Sequence, residues 1–282
     1  MLNVAILGFG KVGQSLVRAF EVVPSYKKRF NVSGLWNRSP EVFNNCKLPP
    51  NSKVYPDLDD LVSELSAIDL VIECSHPSIV QQYAGKILGK SDFFVSSPTA
   101  FADNDFLTEI QGQLAGSKTN CYLGLGASLG VWDIIRLDRN QQVKSLEIEM
   151  KKHPDSFKLP GQEEQDKQQL SRERDGDILL AAGNVGEINV LAPQNTNTMS
   201  IFALAASELG FAECQARITA NRNMDSHIVW CTVGTQSGLK IEMLRDNPAG
   251  HGQVTGSATF TSFLESVAMY DSGIRHNGFV FC

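Results

Sequence analysis

The sequence has no apolar run long enough for a membrane-spanning helix, and its start, "MLNVAILGFG", lacks the basic stretch of a signal peptide. A soluble, cytoplasmic chain without a membrane partner is the expectation. It has no C-x-x-C pair either. Its six cysteines (Cys46, Cys74, Cys121, Cys214, Cys231, Cys282) are scattered, mostly beside strand-like apolar segments, so neither a zinc site nor a disulfide framework is indicated. Cys282 is the last residue and cannot head a prenylation box. An excess of base is missing too: 25 Lys and Arg stand against 31 Asp and Glu, a net charge of −6, which argues against nucleic acid as a partner. Internal repeats are absent. What is there, 282 residues of which 42% are hydrophobic, suits one large or two moderate globular domains.

The first half alternates strand and helix signals. "LNVAILGFG", "NVSGLWN", "IDLVIECS", "DFFVSSP" and "NCYLGLG" read as short buried strands. Helical segments such as "KVGQSLVRAFEVV", "PSIVQQYAGKILGK" and "ADNDFLTEIQGQLAG" separate them. Continuous apolar strands divided by helices predict a parallel sheet covered on both faces, an α/β Rossmann domain. After about residue 128 the rhythm changes. "VKSLEIEMKKH", "DILLAAGNVGEINV", "ECQARITA", "HIVWCTVG" and "LKIEMLR" continue in strand mode with one helical insert, "NTMSIFALAASELG". That order predicts a second α+β domain with a mainly antiparallel sheet. The polar stretch "GQEEQDKQQLSRERDGD" has one large apolar residue, Leu170, and reads as a mobile surface loop. The final amphipathic segment, "VTGSATFTSFLESVAMY", is expected to return to the first domain. The expected division is 1–127 with 252–282, and 128–251.

Gly8-Phe9-Gly10-Lys11-Val12-Gly13 forms a full G-x-G-x-x-G between a strand and a helix. Gly8 permits the tight turn, Gly10 lets a pyrophosphate approach the backbone, and Gly13 lets helix and strand pack closely. N–H groups at Lys11 and Val12 then face the phosphate charge, so a dinucleotide site is predicted. The second strand ends in Asn37-Arg38 with no carboxylate for a ribose 2′-hydroxyl, and a guanidinium there favours NADP(H) or dual use with NAD(H). Ser75, His76, Ser97 and Pro98 occupy later turns on the same sheet edge, where dinucleotides are contacted; each could equally be a helix cap.

"GLGASLG" contains a formal G-x-S-x-G centred on Ser128, and Asp225 or Asp246 with His227 could complete a hydrolytic triad. The dinucleotide turn already occupies the first crossover, and no glycine-rich oxyanion loop precedes the serine. A small-residue turn at the sheet's edge is the better description.

Several segments together carry a resemblance: "GFGKVGQSLV", "WNRSPE", "VIECSHPSIV", "FVSSPTAFAD", "GASLGVWDI", "KKHPDSF", "APQNTNTMSIFALAASELGF", "DSHIVW" and "DNPAGHGQVTGSATFTSFLES". Through nearly its whole length the chain resembles the L-aspartate dehydrogenase family, in particular its animal members. The resemblance implies NAD(P)-dependent oxidative deamination of L-aspartate to oxaloacetate and ammonia through iminosuccinate, or the reverse, in a homodimer. It implies His227 as the catalytic acid/base, with Ala127 and Asn197 as cofactor contacts near the nicotinamide. A histidine titrating near neutrality suits that chemistry, which takes a proton from an ammonium, activates water and protonates a departing amine. Without the resemblance, His227 would pass for a satisfied histidine at a strand start.

For a small dicarboxylate substrate the candidate contacts are Asn195, Ser128 and Lys152, with Asn197 and the N–H groups that follow Asn195. Lys152 would otherwise be a solvated strand end. His153 is a further candidate beside the substrate, and His251 and His276 read as surface residues. No metal-ligand constellation is seen, and hydride transfer requires none. Two other functions fit the same residues: reduction of another small imino or keto acid, and a non-catalytic NADP(H)-binding sensor.

Overall fold

The computed structural model describes residues 1–44, 46–126, 128–193, 195–250, 252–253 and 258–282. The chain forms two compact units, Met1–Gly124 with Phe263–Cys282, and Leu125–Ser262. The cuts lie at 124/125 and 262/263, where the sequence suggested 127/128 and 251/252.

In chain order the first unit runs β1 (Leu2–Leu7), α1 (Lys11–Val22), α2 (Pro24–Arg29), β2 (Phe30–Trp36), β3 (Lys53–Tyr55) and α3 (Leu58–Ser63). It continues with β4 (Leu70–Glu73), α4 (Pro77–Leu88), β5 (Asp92–Val95), α5 (Asn104–Ala115) and β6 (Cys121–Leu123). The second unit holds α6 (Val131–Arg139), β7 (Val143–Lys152), α7 (Gln162–Glu173), β8 (Ile178–Asn184) and α8 (Val185–Leu191). After these come α9 (Asn197–Ala205), α10 (Gly210–Glu213), β9 (Gln215–Ala220), β10 (Ser226–Thr235) and β11 (Lys240–Pro248). The chain ends in α11 (Ala258–Ala268), β12 (Ile274–His276) and β13 (Phe279–Phe281). No helix of the described residues is long and apolar enough to cross a membrane.

The first sheet has the order β12-β13-β6-β5-β4-β1-β2-β3, and every pairing except β12–β13 is parallel. Its central strands are sealed on both faces: Val4 to Leu7, Leu70 to Ile72 and Phe93 to Val95 are all 0% exposed. Strand order reverses about β1, so the carboxyl ends of β1 and β4 border the switch point where such sheets bind ligands. The return of the last segment is seen in Phe263 and Val267, which join the same core as Val4, Phe94 and Tyr122. The Phe94 and Phe263 rings meet edge to face at 5.5 Å.

His276, expected at the surface, is buried in β12, with its ring 6.2 Å from that of Phe281. The reason is a hairpin missed in the sequence. Asn277 and Gly278 both have positive φ (45° and 85°), the Asn-Gly turn that folds β12 onto β13.

The second sheet has the order β11-β10-β7-β9-β8, antiparallel except for β7–β9. One face is buried, as the row Val229–Met150–Ile218–Ala181 illustrates, and the alternate row Leu244–Trp230–Glu149–Arg217 lies on the other.

The expected loop at 161–177 is corrected. Residues Gln162–Glu173 form α7, whose inward face is polar: Glu164, Gln168 and Ser171 are buried. Gln168 Nε2 donates to the carbonyls of Pro154 (2.6 Å) and Phe157 (3.1 Å), while Gln162–Asp166 and Lys167–Glu163 pairs brace the outer side. A helix held by hydrogen bonds shows no apolar stripe to find. "NVGEINV" is likewise not strand. Asn184 and Glu187 form a capping box that ends β8 and starts α8.

Candidate active site

In the first unit the glycine turn is tightly constrained. Gly8 has φ +102°, and a Cβ on it would lie 2.6 Å from the Cys74 carbonyl oxygen. A Cβ on Gly13 would lie 2.1 Å from the Gly8 carbonyl oxygen, whereas one on Gly10 would meet nothing within 4 Å. Two glycines are thus required by packing and the second faces open space, the arrangement a pyrophosphate needs. Lys11 is exposed at the first position of α1, and Val12 packs against the core.

Asn37 is occupied structurally. Its Oδ1 accepts from the Phe9 N–H at 2.8 Å and its Nδ2 donates to the Ser39 carbonyl at 2.8 Å, so it ties the glycine turn to the end of β2. Arg38 beside it is exposed and makes no hydrogen bond or ion pair among the described residues. A cleft of about 750 Å³ beside the turn has Lys11, Arg18 and Lys47 in its lining against a single acid, Glu21. Positive surroundings for phosphate therefore exist despite the net charge.

The other turns converge on a residue that sequence reasoning missed. Glu73 ends β4, is fully buried, and accepts five hydrogen bonds. Ser75 N (2.6 Å), Ser75 Oγ (3.1 Å) and Ser97 Oγ (3.0 Å) donate to Oε1, and Ser96 N (3.2 Å) and Ser97 N (3.1 Å) to Oε2. Burial raises its carboxyl pKa above the ordinary value, and these donors offset only part of that rise. The Ser75 and Ser97 side chains are therefore turned to the protein. His76 caps α4, its Nδ1 accepting from Ser78 N at 3.2 Å, and Pro98 is buried after Ser97. Ala127 and His251 lie outside the described residues.

In the second unit the strand register sets His227 and Lys152 side by side. Ile228 opposes Lys151 across β10 and β7, so the next step beyond each pairs His227 with Lys152 on the buried face. Asn247, also buried and not anticipated, opposes His227 from β11. His227 is 7% exposed, and its Nε2 is buried without a hydrogen-bond partner. Burial first, and then the neighbouring ammonium of Lys152, push its pKa down to about 4; a backbone hydrogen bond with Gln253 opposes them.

Lys152 is not the solvated residue its setting suggested. It is 4% exposed, burial pushes its pKa down to about 8, and its Nζ lies 5.6 Å from the centre of the Phe157 ring. No carboxylate pairs with it among the described residues.

Asn195 is buried, but both ends of its amide are used. Oδ1 accepts from Lys158 N and Nδ2 donates to the Ser156 carbonyl, which fixes the loop after Lys152 rather than presenting donors to a ligand. The Ser156 hydroxyl itself is buried without a partner. Asn197 is exposed at the start of α9. His153 is turned back to its own loop, its Nδ1 accepting from Asp155 N at 3.2 Å.

Ser128 is buried with its hydroxyl directed at the Thr198 carbonyl (3.5 Å), and among the described residues no histidine or carboxylate hydrogen-bonds to it. That is not a hydrolytic nucleophile. Asp225 is exposed and makes no hydrogen bond to His227. Among the described residues no group of three or more His, Cys, Asp or Glu could hold a metal ion.

Residues 133–266 match the family described as aspartate dehydrogenase, C-terminal, and residues 8–123 match the homoserine dehydrogenase NAD-binding domain. The first unit is thus a nicotinamide-dinucleotide-binding Rossmann domain. An aspartate dehydrogenase domain-containing protein from Danio rerio is 32% identical over 267 residues, 94% of each chain. An L-aspartate dehydrogenase from Thermotoga maritima is 24% identical, covering 97% of this chain and 99% of its own. The crystal structure of an aspartate dehydrogenase from Thermotoga maritima shares the fold with a TM-score of 0.72 at 23% identity, over 98% of this chain and 99% of the other.

Proposed function

The chain belongs to the aspartate dehydrogenase family, and from that premise we propose that it interconverts L-aspartate with oxaloacetate and ammonia through iminosuccinate, using NADP(H) or NAD(H). One observation carries the assignment to an anionic substrate: Lys152 is a buried ammonium with no carboxylate partner, beside a histidine whose Nε2 is also unpartnered. An unpaired buried charge is costly, and a substrate carboxylate would satisfy it.

In this reading a bound nicotinamide dinucleotide would supply the hydride chemistry, with the glycine turn at Gly8, Gly10 and Gly13 holding its phosphates. His227 handles the protons. With a pKa of about 4 in the empty site it is neutral at pH 7, the form that can take a proton. A carboxylate bound at Lys152 screens the ammonium and raises the His227 pKa, so the ring becomes a better base for the α-ammonium proton, which it can then pass to the departing nitrogen. Lys152 thereby anchors the substrate and sets the histidine's readiness. Asn197, Ala127 and Ser128 are the remaining expected contacts, the first two for cofactor and the third for substrate.

The exposed Arg38 guanidinium, with Asn37 already engaged, supports a preference for the 2′-phosphate of NADP(H). For self-association we propose the open face of the second sheet, where Trp230 (46% exposed) and Leu244 (59%) stand side by side; a homodimer mass by light scattering is the check. The setting proposed is the cytoplasm. Oxidation of NADPH and NADH, measured with oxaloacetate in the presence and absence of ammonium, tests the activity. Ammonium-dependent turnover supports it. Ammonium-independent turnover indicates a different keto acid reductase, and cofactor binding without turnover indicates a sensor.

A further inference from the structure

Glu73 raises a question that the dinucleotide fold does not answer. Each of its carboxylate oxygens accepts from at least one backbone N–H, a group that can only donate, and these donors favour the ionised form against the burial that raises its pKa. No cation among the described residues pairs with it. An unpaired charge in a fully buried position costs free energy, and a neutral side chain could bridge the same turns at less cost.

Its position suggests what offsets that cost. Glu73 is the last residue of β4 and opposes Leu7 of β1, so it lies at the switch point of the sheet. Its donors are the turns after β4 and β5. The next residue, Cys74, abuts the glycine turn, its thiol donating to the Gly8 carbonyl at 3.2 Å. Three turns of the dinucleotide cradle therefore meet around one buried carboxyl group, whose ionised form would carry a negative charge. Of the two redox states of a nicotinamide dinucleotide, only the oxidised form carries a positive ring.

We propose that Glu73 is a redox-discriminating residue: through its buried negative charge it holds the oxidised dinucleotide more tightly than the reduced one. The inference rests on the first unit binding a nicotinamide dinucleotide and is independent of the substrate. By linkage, the bound reduced cofactor becomes a stronger hydride donor, which biases the site toward reduction of an imine. Glu73 acts as a positioning residue as well, and the two roles separate experimentally. Loss of positioning weakens both redox forms alike, whereas loss of charge weakens the oxidised form more.

The test is Glu73→Gln, with dissociation constants measured by fluorescence titration for the reduced dinucleotide and by competition for the oxidised one. The expected result is that the ratio of oxidised to reduced Kd rises by about tenfold, the scale of one charge acting through a protein interior. Equal weakening of both forms, or an unchanged ratio, overturns the proposal. Should the variant not fold, the wild-type protein carries the test. Its oxidised form is expected to bind at least as tightly as the reduced form, and a reduced form held tenfold tighter contradicts the proposal. Failure of the wild type to bind either form overturns the cofactor reading along with it, while equal weakening in the variant overturns this inference alone.

Discussion

The Lys152 ammonium and the His227 imidazole are neighbours across the β7–β10 pair, both buried, and the first suppresses protonation of the second. Among the described residues neither has a carboxylate to relieve it, and the proposed substrate carboxylate would supply one.

Substrate binding is therefore expected to depend on pH through Lys152. Its pKa of about 8 in the empty site means that the anchoring charge is present below pH 8 and fades above it. The KM for oxaloacetate should rise above about pH 8 and stay flat between pH 6 and 7.5. Lys152→Met should raise KM by at least about a hundredfold and abolish that dependence, the scale of losing a charge-assisted hydrogen bond in a buried site. A KM insensitive to both the variant and pH would remove Lys152 from the site.

The same burial has a stability cost. The folded pKa lies below the ordinary lysine value of 10.5, so between about pH 8 and 10.5 the unfolded chain binds more protons and stability rises with pH; below pH 8 the full penalty is present. Lys152→Met should stabilise the protein at pH 7 by on the order of 2–3 kcal/mol and remove the alkaline rise, as read by urea denaturation at several pH values. An inactive variant of higher stability is the signature of a site residue.

Cofactor choice is expected to turn on Arg38. Arg38→Ala should weaken NADPH binding by about tenfold or more and leave NADH nearly unchanged, because in the proposed reading the guanidinium would meet only the extra phosphate. Equal effects on both would place Arg38 away from the ribose. Gly13→Ala, by contrast, should abolish binding of both, since its Cβ would sit 2.1 Å from the Gly8 carbonyl oxygen.

The polar helix α7 makes its own prediction. Gln168→Ala leaves the carbonyls of Pro154 and Phe157 without their donor inside the protein, and the loss should be about 1–3 kcal/mol, measured by thermal and urea unfolding. A cost near zero would mean that α7 is only loosely held.

These cases show where the sequence was legible. Alternating apolar strands and helices, the G-x-G-x-x-G and the neutral tip of β2 announced the first unit, because burial on both faces and close backbone approach each leave a pattern in residue type. Period-two alternation likewise announced β7 and β10. Elements held by hydrogen bonds were harder. The buried glutamine of α7 and the Asn184–Glu187 box carry no hydrophobic period, and the Asn277-Gly278 hairpin rests on two backbone angles. In the site, Lys152 was visible as a residue type but its burial was not, since strand register alone places it beside His227. Glu73 was hidden for the same reason: its meaning comes from Ser75 beside it together with Ser96 and Ser97, more than twenty residues away.

If His227 performs the proton transfers of an ammonium-dependent reaction, its loss should appear in kcat and not in cofactor binding. The most direct measurement compares wild type and His227→Ala for NAD(P)H oxidation with oxaloacetate and ammonium, with the cofactor Kd determined for both. The expected result is turnover in the wild type and a loss of at least about a hundredfold in kcat in the variant, with the cofactor Kd unchanged. A variant that retains wild-type kcat would contradict it.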